Sequence, residues 1–139
     1  MQSSTQSFRD LAVYQLARRC SIDVYALALD FPTHRDDDVP RRLLATAHSV
    51  RAHIAAAWGT RRQRAALIEQ LSTAQLQAAE MQTWIEAAVA TGYLSPEAAQ
   101  DLHDRYRHLY TVLDHLMESA LAEKTQPIAD TPDDLPATA

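Results

Sequence analysis

Residues Val39 to Arg64 read VPRRLLATAHSVRAHIAAAWGTRRQR, a stretch with six arginines and no aspartate or glutamate. Leu43, Ala47, Val50, Ile54 and then Ala57 or Trp58 recur at steps of four and three, which keeps one apolar seam on one side of a helix. The other positions are largely alanine (Ala45, Ala52, Ala55, Ala56), so neighbouring helices can approach closely. Asp36-Asp37-Asp38 precede the stretch, and Asp38 is placed to cap it, with its carboxylate at the positive end of the helix dipole. Gly59 is read as the residue that closes this helix in a left-handed conformation.

The same 4-3 spacing recurs on both sides. Upstream, Val13, Ala17, Cys20, Val24, Leu27 and Phe31 predict a helix from Asp10, ended by Phe31-Pro32 because the residue before proline is pushed out of the helical region. Downstream, Leu67, Leu71, Ala74, Ala78, Met81, Ile85 and Ala88 predict a long helix from about Arg61 to Thr91, closed by Gly92. Ser95-Pro96-Glu97 is a helix start, with serine capping and proline at the first helical position. The helix begun there carries Ala99, Leu102, Tyr106, Leu109, Leu113, Leu116 and Ala120. Four helices with matched seams and short connections predict an all-α, antiparallel up-down-up-down four-helix bundle over residues 10–124. Residues 1–9 are expected to be a flexible N-terminus, and 125–139, with Pro127, Pro132 and Pro136, a disordered acidic tail.

Composition agrees with helix. The chain has 139 residues, 47% of them hydrophobic, with two glycines and more alanine and leucine than β-branched residues. The formal charge of -5 includes three acids of the tail, Asp130, Asp133 and Asp134; without them 15 acids face 13 bases. Cys20 is the one cysteine, which excludes an internal disulfide and a cysteine-based zinc site. No signal peptide and no apolar run of about 20 residues is present, so no membrane role and a cytoplasmic location are expected.

Candidate chemistry is sparse. His108 and His115 share a helix face with Asp104, but that face points away from the Leu102-Leu109-Leu116 seam, and the inward Glu-x-x-His motifs of a di-iron bundle do not occur. His48 and His53 do not share a face well. There is no serine elbow, no glycine-rich phosphate loop and no carboxylate in an apolar seam, and Cys20 sits in a seam as a small hydrophobe. No enzyme, no metal and no cofactor is expected. Trp58, Trp84, Tyr14, Tyr25 and Tyr110 do not all fit the seams, which suits a bundle that packs against further copies of itself. Arg41, Arg42, Arg51, Arg61, Arg62 and Arg64 are the candidate binding residues, because guanidinium forks match phosphate and clustered bases mark nucleic-acid binding. The competing reading pairs them with acids such as Asp36 to Asp38 or with a neighbouring subunit.

Phe8-Arg9-Asp10-Leu11, Val13-Tyr14-Gln15 and Ala17, then Phe31-Pro32, Ser49-Val50, Ala52, Ile54-Ala55, Trp58-Gly59 with Arg61, and finally Glu80 and Gly92-Tyr93-Leu94-Ser95, form a recognisable series. From Phe8 to Leu121 the chain resembles the 23S rRNA-intervening-sequence proteins, also called the four-helix bundle protein family. The resemblance implies a bundle, a ring-like homo-oligomer (pentamers occur in that family) and no known catalysis. One branch of the family serves a reverse transcriptase of diversity-generating retroelements as a nucleic-acid-binding accessory protein. The expectation is therefore a non-enzymatic, self-associating scaffold or adaptor whose arginines meet RNA or DNA, or a nucleic-acid enzyme. The alternatives are a purely structural or protein-binding oligomer with its arginines in ion pairs and, further off, a metal-binding bundle enzyme.

Overall fold

The computed structural model describes residues 11–33 and 35–122. Four helices succeed one another: α1, Ala12–Ala28; α2, Val39–Gly59; α3, Arg64–Ala90; and α4, Pro96–Ala122. Each helix packs on its sequence neighbour, α4 closes back on α1, and no diagonal pair meets, so the described chain is an all-α four-helix bundle. The expected flexible N-terminus, the expected tail, and residues 10, 123 and 124 of the expected bundle lie outside the described residues.

The seams form the core. Val24, Leu43, Val50, Ile54, Met81, Ile85, Leu109 and Leu113 are all essentially inaccessible to solvent. Between them Ala47, Ala74, Ala78 and Ala88 are fully buried, which lets α2 and α3 form the most extensive interface of the bundle. Interiors packed like crystals leave little room at such positions for a larger side chain. Leu27, Leu67 and Trp58 are only half-buried. Leu116 departs from expectation and is exposed, although Ala120 one turn further along α4 is buried. Among the other aromatic residues Tyr14 is buried, Trp84 is half-buried, and Tyr25 and Tyr110 are exposed.

The helix ends correct two further expectations. Gly59 does not close α2 in a left-handed conformation; it is the last helical residue, and Thr60 ends the helix by donating its N–H and its hydroxyl to the Ala56 carbonyl at 3.0 Å. The positive φ of 84° belongs to Gly92. There the Gly92 N–H reaches the Val89 carbonyl at 3.0 Å and the Tyr93 N–H reaches Ala88 at 2.8 Å, the paired bonds of a Schellman cap. The second correction is at α3, which begins at Arg64 rather than Arg61. Bonds from Arg61 N to Trp58 O and from Gln63 N to Thr60 O wind residues 60–63 into a tight reversal before the helix starts. Ser95 caps α4 as expected, its Oγ accepting the Ala98 N–H at 3.1 Å.

The loop after α1 is clipped to the turn after α3. Phe31 packs on the Tyr93 ring at 5.1 Å between centroids, and the Arg35 guanidinium lies 4.4 Å above that ring. Arg35 also donates to the Thr91 carbonyl at 2.6 Å and pairs with Asp37 at 3.2 Å, while the Tyr93 hydroxyl donates to Asp37 at 2.8 Å. On the far flank, Arg105 of α4 joins Asp23 of α1, the one charged tie across the smallest helix interface among the described residues.

The two glycines separate the effects of helix and turn. Gly59→Ala is expected to stabilise by about 0.5–1 kcal/mol, since the site is helical and a Cβ meets nothing within 4 Å. Gly92→Ala is expected to cost about 1–2 kcal/mol for its left-handed backbone; urea unfolding of the two variants checks both signs. Burial pushes the Cys20 thiol up from 9.0 to about 11, with Asp23 adding to the rise. Native protein at pH 8 should therefore resist thiol reagents that label one cysteine after unfolding. Because the raised value favours the protonated folded form, this contribution to stability is complete below pH 9 and is lost as pH climbs through about 11.

Candidate nucleic-acid interface

The six arginines do not form one surface. Helix α2 is 21 residues long, so its two ends stand about 30 Å apart at 1.5 Å per residue. Arg41 and Arg42 occupy its first turn, with Arg41 paired to Asp38 at 2.8 Å and Arg42 to the same carboxylate at 3.8 Å. Asp38 stands at the cap position but makes no capping hydrogen bond. Its carboxyl is instead held below the usual carboxylate range, first by the hydrogen bond from Arg41 and then by that charge. Arg42 also lies 5.4 Å from the Trp84 ring, and Trp84 is steadied by donating to Glu80 at 3.0 Å. These two arginines are engaged by their own chain.

Beside them is a cleft of about 430 Å³, bordered by Phe31, Arg35, Asp37, Asp38, Arg41 and Tyr93. Its polar groups pair mainly with one another, in the Arg35–Asp37–Tyr93 and Asp38–Arg41 contacts. The cleft is thus the seam between two clipped loops.

Arg51 points from mid-α2 across to α1. It donates to Ser21 Oγ at 2.9 Å and to the Tyr14 hydroxyl at 3.5 Å, with its guanidinium 5.9 Å from the Tyr14 ring. Ser21 is fully buried and donates its hydroxyl to the Arg18 carbonyl at 2.9 Å. Arg51 is therefore a half-buried strut between helices, bonded to neutral oxygens.

Arg61, Arg62 and Arg64 gather at the other end, within the reversal and first residue of α3. Arg61 and Arg62 are exposed and form no ion pair among the described residues. The Arg61 guanidinium lies 3.8 Å over the Trp58 ring and donates to the Trp58 carbonyl at 2.8 Å, so a mobile side chain is held flat against a half-exposed indole. Trp58 is the residue that sequence reasoning passed over as a binding group. The signal was its spacing of three from Arg61, which stacks the two if the helical turn carries past Gly59. Arg64 is half-buried at the start of α3.

The described histidines contribute no cluster. His48, His108 and His115 are exposed, and His53 pairs through Nδ1 with Gln70 at 2.8 Å, joining α2 to α3. Among the described residues no three His, Cys, Asp or Glu side chains group as metal ligands. No helix of the described residues is long and apolar enough to cross a membrane. Geometrically, then, the α2–α3 reversal offers cationic forks beside an aromatic face, a pairing suited to a phosphate with an adjacent base.

Comparison with known proteins places the chain. None of the curated proteins matches it. A crystal structure of a protein of unknown function from the S23 ribosomal protein family of Bacteroides thetaiotaomicron VPI-5482 superposes with a TM-score of 0.69 at 18% identity. The match covers 76% of this chain and 95% of that one, and it shows that the two share a fold. The family model described as 23S rRNA-intervening sequence protein matches residues 9–115. Matched over well more than half of its length, and with the helices that the match spans all in place, this chain belongs to the 23S rRNA-intervening sequence protein family.

Proposed function

We propose that this protein is a non-enzymatic, homo-oligomeric bundle that acts as an adaptor and binds the phosphate backbone of RNA or DNA at the α2–α3 reversal. The observation that carries the binding half is the trio Arg61, Arg62 and Arg64 on one turn, with Arg61 laid over Trp58 and no acid pairing Arg61 or Arg62 among the described residues. Backbone contacts of this kind are sequence-tolerant, and in a closed ring the turn repeats once per subunit, so several weak contacts act on one strand. Self-association is supported by the outer side of α1, where Ile22, Tyr25 and Leu29 stand exposed at steps of three and four, Leu29 at 85%. By family resemblance the ring is a pentamer.

A second reading, a protein-binding oligomer with its arginines in ion pairs, is favoured by Arg41 and Arg42, which already hold Asp38. It predicts that nucleic acid leaves the protein indifferent at every salt concentration.

The adaptor reading predicts a light-scattering mass several times that of one chain at micromolar concentration; a monomer at that concentration refutes the oligomer. Fluorescence anisotropy with a labelled RNA strand of about 20 nucleotides should show affinity falling steeply with salt. Arg61→Ala with Arg62→Ala should flatten the log–log salt slope by about 1.4, the loss of two single-strand phosphate contacts. Arg41→Ala with Arg42→Ala should leave that slope unchanged. An absence of binding at low salt removes the nucleic-acid half.

A further inference from the structure

The basic reversal sits beside the end of α4. Gln75 of α3 donates to the Tyr110 carbonyl at 3.4 Å and to Asp114 at 3.2 Å of α4, which sets the antiparallel register of the two helices. Carried along that register, Ala122 at the end of α4 comes level with Arg64 at the start of α3. Adjacent helix axes lie about 8–10 Å apart. The chain therefore leaves the bundle beside Arg61 and Arg62, not beside the acidic loop at the opposite end.

The sequence beyond Ala122 is 17 residues long, and from Thr125 onward it holds three acids, Asp130, Asp133 and Asp134, and no base. Across the span from Val39 to Ile68, no acid occurs in the sequence; Glu69 is the first after the reversal. Arg61 and Arg62 form no ion pair among the described residues, whereas Arg41 and Arg42 have Asp38. Seven residues separate Ala122 from Asp130, and the eight steps between them span at most about 26 Å. That reach covers the reversal with slack to spare.

We propose that the acidic segment Asp130–Asp134 docks on the Arg61–Arg62 reversal of its own chain and there competes with a phosphate backbone. Exposed ion pairs are individually weak and salt-labile, but a tether of this length holds the acids at an effective concentration in the millimolar range. That combination makes a displaceable occupant. A strand bringing a regular row of phosphates to several copies of the turn outcompetes it, and a single stray anion does not. The competing half rests on the phosphate-binding reading above; the docking half does not.

Disulfide trapping in the full chain tests docking without any nucleic acid. With Gln63→Cys and Thr131→Cys in place, and Cys20 buried, mild oxidation at about 50 mM salt should form an intrachain bond. Asp130→Asn, Asp133→Asn and Asp134→Asn together should slow that bond about fivefold, as should about 0.5 M salt. Equal rates with and without the three charges overturn docking, and an interchain product in its place overturns docking within one chain. In anisotropy at about 50 mM salt, the triple Asn variant should bind the same RNA strand about fivefold more tightly. Charge-dependent trapping with no RNA binding by either protein leaves docking standing and refutes the phosphate-binding reading. RNA binding that the triple variant does not tighten overturns the competition.

Discussion

Close approach of α2 and α3 is the constraint on which the remaining structure depends. Ala47, Ala74, Ala78 and Ala88 are fully buried where those helices meet, and alanine permits an interface that leucine at the same places would force apart. Arg41 and Arg42 stand in the first turn of α2, Arg51 on a flank where it is taken up by Ser21 and Tyr14, and the other three beyond the helix, in the reversal and at the start of α3. Where the charge stands in turn sets which surfaces can bind.

The helices were legible because burial has a period. Every seam residue from Leu71 to Ala88 in α3 is buried, as its 4-3 spacing predicts. Periodicity cannot supply the chain's behaviour between helices. Gly59 and Gly92 look alike in sequence, and a threonine hydroxyl turns back onto the helix at both ends, but Gly59 lies before the capping Thr60 and Gly92 after the capping Thr91, where the left-handed residue belongs. The start of α3 was misplaced for the same reason: hydrogen bonds of the reversal, at residues 58–63, leave no trace in hydrophobic spacing.

The arginine cluster shows the sharper limit. Six arginines within 26 residues look like one patch when written as a line, but a helix converts sequence proximity into length and azimuth. Only three of the six share a place. The stack of Arg61 on Trp58, which gives that place its chemistry, depends on the helical turn continuing past a glycine. Arg35, which no motif singles out, proves to be the fastener between two loops.

The ring of helix contacts also bears on how the bundle forms and opens. All interfaces but one join helices adjacent in the chain, so most native contacts close short loops, a topology that folds quickly. The exception, α1 against α4, is the smallest interface and must wait for the ends of the domain to meet. The shortest helix, 17 residues, is thus expected to dock last and lift away first. When it lifts, Cys20 is uncovered, along with the Tyr106 hydroxyl, which has no hydrogen-bonding partner among the described residues. Local opening of this bundle is consequently expected as a motion of α1, with the alanine-lined pair α2 and α3 staying shut.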